Sequence, residues 1–378
     1  MNTARTSFRR FAPVTAAALL VVAGTLFAGP LNPPTGPVTS TMKTMTEVEP
    51  RIAINATNTP GDNDASPSMF KITQPGSYYL TENVAVGAGL DGIEIASANV
   101  TIDLNGFTLY GLASSQDGVT TNDAFRVGLT IRNGVIRTFG GMGLDLGIAP
   151  AAIGTAPQGI LLENLHVIDN NGSAGSANDG IAKSCIFNGN LSGFSFTEPF
   201  ASTIESCTAN DNDQRGISIA MGMFTNCTAS GNGGYGIVGG TAVNCVAERN
   251  GTYGIFSDVV TNCTVRDNGT DNIRVNISAM GNTVVRSATN GAGTVGIAIN
   301  ADRVRVENNT ITGFPTAIRS IFANGLIVSN KFSWCNTAIN VAGGNRVGTI
   351  TTAFSIAPVN GNSGGGLGTN DVYDNILY

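Results

Sequence analysis

Short period-two runs recur along most of this chain. Around Cys245 the residues Val243, Cys245 and Ala247 fall on every second position, and Thr261, Cys263 and Val265 repeat the pattern eighteen residues later. Period two is the mark of a strand with one buried face. The runs are only three to four residues long before glycine, asparagine or aspartate interrupts them, so the predicted elements are very short strands joined by turns.

The interruptions are periodic. Cys185, Cys207, Cys227, Cys245 and Cys263 are spaced 22, 20, 18 and 18 residues apart. Five residues after each stands an asparagine: Asn190, Asn212, Asn232, Asn250 and Asn268. Nine after the last four cysteines stand Gly216, Gly236, Gly254 and Asn272, each followed by isoleucine at 217, 237, 255 and 273. With the cysteine replaced, the frame extends upstream through Phe107, Val135 and Leu165 and downstream through Thr283, Thr310 and Phe332, about eleven repeats in all.

A strand this short cannot bury a face alone. Stacking equivalent coils ~4.8 Å apart buries a continuous core and pairs the backbone of each coil with its neighbours. A leucine-rich repeat needs a leucine signature and a helical side, and a propeller needs a period near 40. The predicted fold is therefore all-β: a single-stranded right-handed parallel β-helix, with capping segments at its ends. In this reading the glycine before each isoleucine supplies a positive-φ turn, and the asparagines bond to one another along the axis.

Composition sharpens the address more than the fold. Of 378 residues, 42% are hydrophobic, 12% are charged and 49 are glycine, which suits short strands and many turns and excludes disorder. Arg5, Arg9 and Arg10 precede an apolar stretch from Val14 to Phe27, with Ala28 as a cleavage position. This predicts a signal peptide over 1–28 and a secreted or cell-envelope protein. Thr15, Gly24 and Thr25 within the stretch, and the prolines after it, argue against a membrane anchor. Cleavage removes three arginines and no acid, so the net charge moves from −6 to −9, 17 bases against 26 acids. Such a surface does not follow a phosphate backbone, so nucleic acid is not expected as a partner. No later apolar run reaches the ~18 residues of a membrane span. The mature chain is expected to be a monomer.

The remaining organisation reads as a flexible Pro/Thr-rich linker over 29–50, N-terminal cap strands over 51–90, the β-helix over 91–344 and a C-terminal cap over 345–378. Departures from the minimal coil at 112–127, 138–158 and 171–180, with a smaller one at 287–295, read as long loops around a nearly loopless floor. The segment Met42-Lys43-Thr44 through Glu49-Pro50-Arg51, then Lys71-Ile72-Thr73-Gln74-Pro75-Gly76-Ser77-Tyr78-Tyr79-Leu80 and Val100-Thr101-Ile102-Asp103-Leu104-Asn105-Gly106-Phe107, resembles the start of a group of exported bacterial β-helix proteins. With the coil pattern, the chain resembles the right-handed β-helix repeat proteins of the pectate-lyase-like superfamily. That resemblance implies fold and export, and no assigned activity. The Asn-Thr-Asp, Gly-His-Gly and Arg-Ile-Lys elements of polygalacturonase-like members are absent. So are the Arg-x-Pro-x-x-Arg element of pectate lyases and the Asp-Pro-His element of alginate epimerases.

Candidate chemistry is sparse. Six cysteines are an even number for a secreted chain, but stacked positions ~4.8 Å apart with parallel side chains do not suit the ~3.8 Å Cβ separation of a disulfide. The five in frame are predicted to be buried free thiols, with Cys335 out of frame beside the sole tryptophan, Trp334. The sole histidine, His166, is predicted to point outward, with no nucleophile in frame. Eight residues after successive cysteines stand Arg215, Tyr235, Tyr253 and Asp271, which would line one ridge. Exposed tyrosines there would suit the flat face of a sugar ring. Glu248 over Arg266, and Arg249 over Asp267, are expected cross-coil ion pairs. Asp211 and Asp213 with Arg215, and Glu205 nearby, are the catalytic candidates if two carboxylates cooperate.

The function expected is a secreted or cell-surface β-helix protein, non-catalytic, binding a polysaccharide or cell-surface glycan or serving a structural or adhesive role. The alternative is a polysaccharide lyase or glycoside hydrolase using acids on the helix face. No cofactor or metal site is expected, with Ca²⁺ entering only if the chain is lyase-like.

Overall fold

The computed structural model describes residues 50–122, 127–147, 159–198, 201–287 and 294–348, with the backbone of 350–352, 357–360 and 375–377. The predicted leader, nearly all of the linker, the loop residues 123–126, 148–158 and 288–293 and most of the C-terminal segment lie outside the described residues. Residues 51–378 form one compact unit.

One coil shows how the unit is built. Gly222–Thr225, Thr228–Ser230 and Ile237–Val238 are its three strands. Each pairs in parallel with the equivalent strand of the next coil, at Thr241–Val243, Val246–Glu248 and Ile255–Thr261. Repeated over about twelve turns, this makes a solenoid with three parallel sheets, here the first, second and third. Residues 51–90 already follow the scheme: Gly76–Tyr79 pairs with Val100–Asp103, and Ser68–Ile72 with Asp91–Ile95. At the far end Asn375–Leu377 pairs with both Lys331–Ser333 and Ile350–Thr352.

The expected long loops prove to contain the third strand of their coils: Val119–Thr120 lies within 112–127, Leu144–Leu146 within 138–158 and Gly175–Ala177 within 171–180. They were obscured because a two- or three-residue strand flanked by glycine carries too little periodicity to stand out.

Two left-handed residues bend most of the described coils. Ser206, Asn226, Asn244 and Asn262, with φ of 53–55°, precede the cysteines, and Asp211, Arg249 and Asp267, at 53–55°, precede the asparagines. The bend resets side-chain parity. Val243 is half-buried on the outer surface whereas Ala242, Cys245 and Ala247 are interior, so the alternation read across Cys245 does not lie on one face. Nor do the glycines before isoleucine have positive φ. Gly216 is required by proximity, since a Cβ there would lie 2.4 Å from the carbonyl oxygen of Gly236. Coil packing, not turn geometry, selects it.

The five cysteines form an interior column of free thiols, each buried, their Sγ atoms facing backbone carbonyls such as Thr225 O at 3.4 Å from Cys227. The frame needs correction on both sides of the cysteines. Upstream, Gly134 and not Val135 aligns with Leu165. Downstream, the column continues as Asn282, Asn309 and Asn330, one or two residues before the expected Thr283, Thr310 and Phe332. Asn282 Oδ1 accepts the Cys263 N–H at 2.8 Å, and Asn309 and Asn330 repeat the bond. The reason is that asparagine satisfies a corner N–H that a thiol leaves weakly bonded. The second corner holds the longer ladder from Asn170 to Asn268, each Oδ1 accepting from the coil before, and Asn272, four residues further on in the same coil, ends it by accepting the Asn268 N–H. Cys335 sits in a corner of that second kind, after the positive-φ Trp334.

Candidate functional site

The interior is filled with aliphatic side chains, phenylalanine, thiols and amides bonded along their ladders, so ligand chemistry must come from outward positions. On the third sheet the outward residue is the one after the recurring isoleucine. Along the axis this column runs Asp145, Ser176, Ser195, Ser218, Val238, Phe256, Arg274, Ala298, Arg319. Three residues earlier in each coil, at the corner leading into the sheet, runs a second column: Asp117, Met142, Ser173, Ser192, Arg215, Tyr235, Tyr253, Asp271.

Between the two columns lies a shallow concavity of about 270 Å³, floored by Gly193, Phe194 and Gly216 and lined by Ser173, Ser192, Ser195, Ser218, Gln214 and Arg215. Small side chains and close glycines keep the floor low; Arg215 and Gln214 form its wall. Among the described residues, neither Ser195 nor Ser218 has a side-chain hydrogen bond within the protein, and Arg215 has no carboxylate partner. Its guanidinium instead lies 5.8 Å from the Tyr235 ring centroid.

The ridge of Arg215, Tyr235, Tyr253 and Asp271 comes together in register, but its chemistry differs from the expectation. The two tyrosine rings stack on each other at 5.2 Å and 23°. Arg274 covers the Tyr253 ring at 5.1 Å, donates to its hydroxyl and also contacts Phe256. With Arg274 of the third-sheet column at one end and Arg215 at the other, the two rings sit in a guanidinium–ring–ring–guanidinium stack whose faces are occupied from within the protein. What it offers outward is ring edges, hydroxyls and charge, not a flat platform. Asp271 is not on the surface at all: it is 3% exposed, and Arg319 reaches it at 3.4 Å. Burial raises its carboxyl above the ordinary range despite the opposing pull of Arg319 and Arg274.

Asp211 and Asp213 flank the buried Asn212 at an exposed corner, while Glu205 lies on the first sheet, facing Lys183 at 3.8 Å. The second-sheet strand Thr208–Asn210 separates them, so Glu205 does not join the two aspartates. His166 is exposed. Glu248 pairs with Arg266 as expected. Arg249 does not pair with Asp267: it turns to Glu248 at 2.7 Å, and Asp267 accepts from the Ser287 hydroxyl at 2.9 Å.

Sequence reasoning missed the carboxylates at the N-terminal end of the same face. Asp91 accepts the Asp117 N–H at 2.8 Å and Asp117 the Met142 N–H, one coil to the next. Burial raises both carboxyls, Asp91 being further raised by Asp117 and Asp117 by Asp145. Beyond them the oxygens of Asp62, Asp64 and Glu94 lie within 4.8 Å of one another, a spacing that would suit a cation. The ammonium of Lys71 stands among them, 2.9 Å from Glu94 and 3.3 Å from Asp64, and supplies that positive charge itself. These residues do not fit a metal without displacing it. The serine column was also missed, although counting one residue past each recurring isoleucine finds Ser218, Val238, Phe256 and Arg274.

No protein-family model and no curated protein matches the chain. Among solved structures it is similar to the A-module of the Azotobacter vinelandii mannuronan C-5 epimerase AlgE4, at TM-score 0.50 and 15% identity over 70% of this chain and 88% of that one. The chain has the right-handed parallel β-helix fold. The AlgE6 A-module of the same organism (TM-score 0.45, 17% identity, 80% and 90% covered) and the Dettilon tailspike protein (0.36, 16%, 72% and 60%) are more distant in shape. At these identities the likeness is one of architecture, and the site is this chain's own.

Proposed function

We propose that this β-helix is an exported glycan-binding protein whose site is the groove on the outer face of the third sheet. The observation that carries the reading is the pair of unused hydroxyls of Ser195 and Ser218 beside Arg215, an arginine without a carboxylate partner, over a floor of glycine and buried phenylalanine. A polyhydroxylated ligand meets donors and acceptors at Ser195, Ser218 and Arg215 without displacing a protein–protein hydrogen bond of theirs. The scaffold serves a mannuronan C-5 epimerase in Azotobacter vinelandii and so is compatible with a carbohydrate. Export rests on the predicted leader over 1–28, and N-terminal sequencing of secreted protein tests it.

A glycan array followed by titration calorimetry tests the binding. Arg215→Ala should weaken the best ligand about tenfold, or ~1.4 kcal/mol. An array without hits, or unchanged affinity in Arg215→Ala, would sink the proposal. The stacked tyrosines act through Arg215, so Tyr235→Ala should weaken binding less than Arg215→Ala.

A second reading, a polysaccharide-cleaving enzyme, draws on the raised carboxyls of Asp91 and Asp117 at the end of the same face. A carboxyl whose affinity for its proton is raised by burial has the direction of shift that a general acid requires. New reducing ends or unsaturated products, lost in Asp117→Asn while binding persists, would favour it.

A further inference from the structure

The groove has a periodicity of its own. Three successive coils present the same pair of polar groups three residues apart: Ser173 with Ser176, Ser192 with Ser195, and Arg215 with Ser218. The next two coils replace the pair by Tyr235 with Val238 and Tyr253 with Phe256, and the coil before by Met142 with Asp145. The polar track is therefore three coils long and bounded by apolar bulk at one end and by methionine and a carboxylate at the other. Its step is the coil spacing, ~4.8 Å.

We infer that the ligand is a linear, equatorially linked glycan lying parallel to the solenoid axis, one sugar per coil, with three sugars on the track. This rests on the glycan-binding reading above and adds the linkage class, the orientation and the length. Equatorial linkages at both ends of each ring produce an extended ribbon whose rise per sugar is close to the coil step, so successive rings meet successive polar pairs. Axial linkages bend the chain into a helix, and its second and third sugars lift away from a straight row of hydroxyls. Ser176, Ser195 and Ser218 are small enough for a ribbon to lie flat; Phe256, half-buried at a T-shaped contact with Tyr253, ends the flat floor.

The test is a length series measured by calorimetry: cello-, xylo-, manno- and chito-oligosaccharides of two to five units beside malto-oligosaccharides of the same lengths. At least one equatorial series should gain affinity up to three units and then level off, and the malto series should bind at least tenfold more weakly. Ser195→Val keeps a residue that strands accept and removes the central hydroxyl; it should lower trimer affinity several-fold without changing the circular-dichroism spectrum. A malto series that binds as well, a gain that continues past three units, or an unchanged Ser195→Val overturns this inference alone. Failure of every glycan on a broad array overturns the glycan reading as well.

Discussion

Asn232→Ala perturbs the ladder that holds the groove's coils in line. Asn232 is 1% exposed. Its Nδ2 donates to the Ala209 carbonyl at 2.9 Å and to Asn250 Oδ1 at 2.8 Å; its Oδ1 accepts the Asn212 N–H at 3.1 Å and Asn212 Nδ2 at 2.8 Å. Alanine leaves the Asn212 N–H without that acceptor, takes one partner from Asn212 Nδ2 and deprives the Ala209 carbonyl of a donor. A buried group left unsatisfied costs about 1–3 kcal/mol, so two such losses give about 2–6 kcal/mol. Because each coil rests on its neighbours, the loss concentrates around residues 209–250. Hydrogen exchange at the Asn212 amide should accelerate by about 10–10⁴ on that basis, at about 1.4 kcal/mol per decade, and urea should melt the variant earlier. Asn232→Asp keeps an acceptor for Asn212 but buries a charge, so its defect should shrink as pH falls and the acid becomes neutral. A loss below ~1 kcal/mol with Asn212 still protected would refute the ladder as a load on the buried N–H groups.

Two further outcomes follow from buried groups. Burial raises the Asp117 carboxyl in the folded protein, so the native state holds its proton more tightly than the unfolded chain. Its contribution is full below the unfolded value of about 3.9 and is lost as pH rises through the raised value. Asp117→Asn retains an acceptor for the Met142 N–H and removes the buried charge. Its melting temperature should exceed the parent's at pH 7 and match it at pH 3.5; the opposite order contradicts the burial argument. All six cysteines are free and buried, so denatured, unreduced protein should titrate as six thiols and native protein should react with almost none. Fewer than five in the denatured titration would mean that disulfides form.

The sequence by itself determined the solenoid, because the repeat of Cys, Asn, Gly and Ile at 18–22 residues marks one strand set per coil and only stacking buries such short strands. It also placed Arg215, Tyr235 and Tyr253 in one column, since a register is a matter of counting. It misplaced what depends on a bend. Left-handed residues such as Asn244 and Arg249 reverse side-chain parity without changing the count, so Val243 faces out and the continuing column falls on Asn282, Asn309 and Asn330. Only the tertiary structure decided which faces of the ridge are open. The sequence shows two tyrosines and nearby arginines; their ring planes, and Arg274 arriving from the neighbouring coil to cover one, exist only once the coils stack. For the same reason the serine track was invisible along the chain. Its members lie some twenty residues apart, and they form a row because the backbone returns to the same place one coil spacing higher.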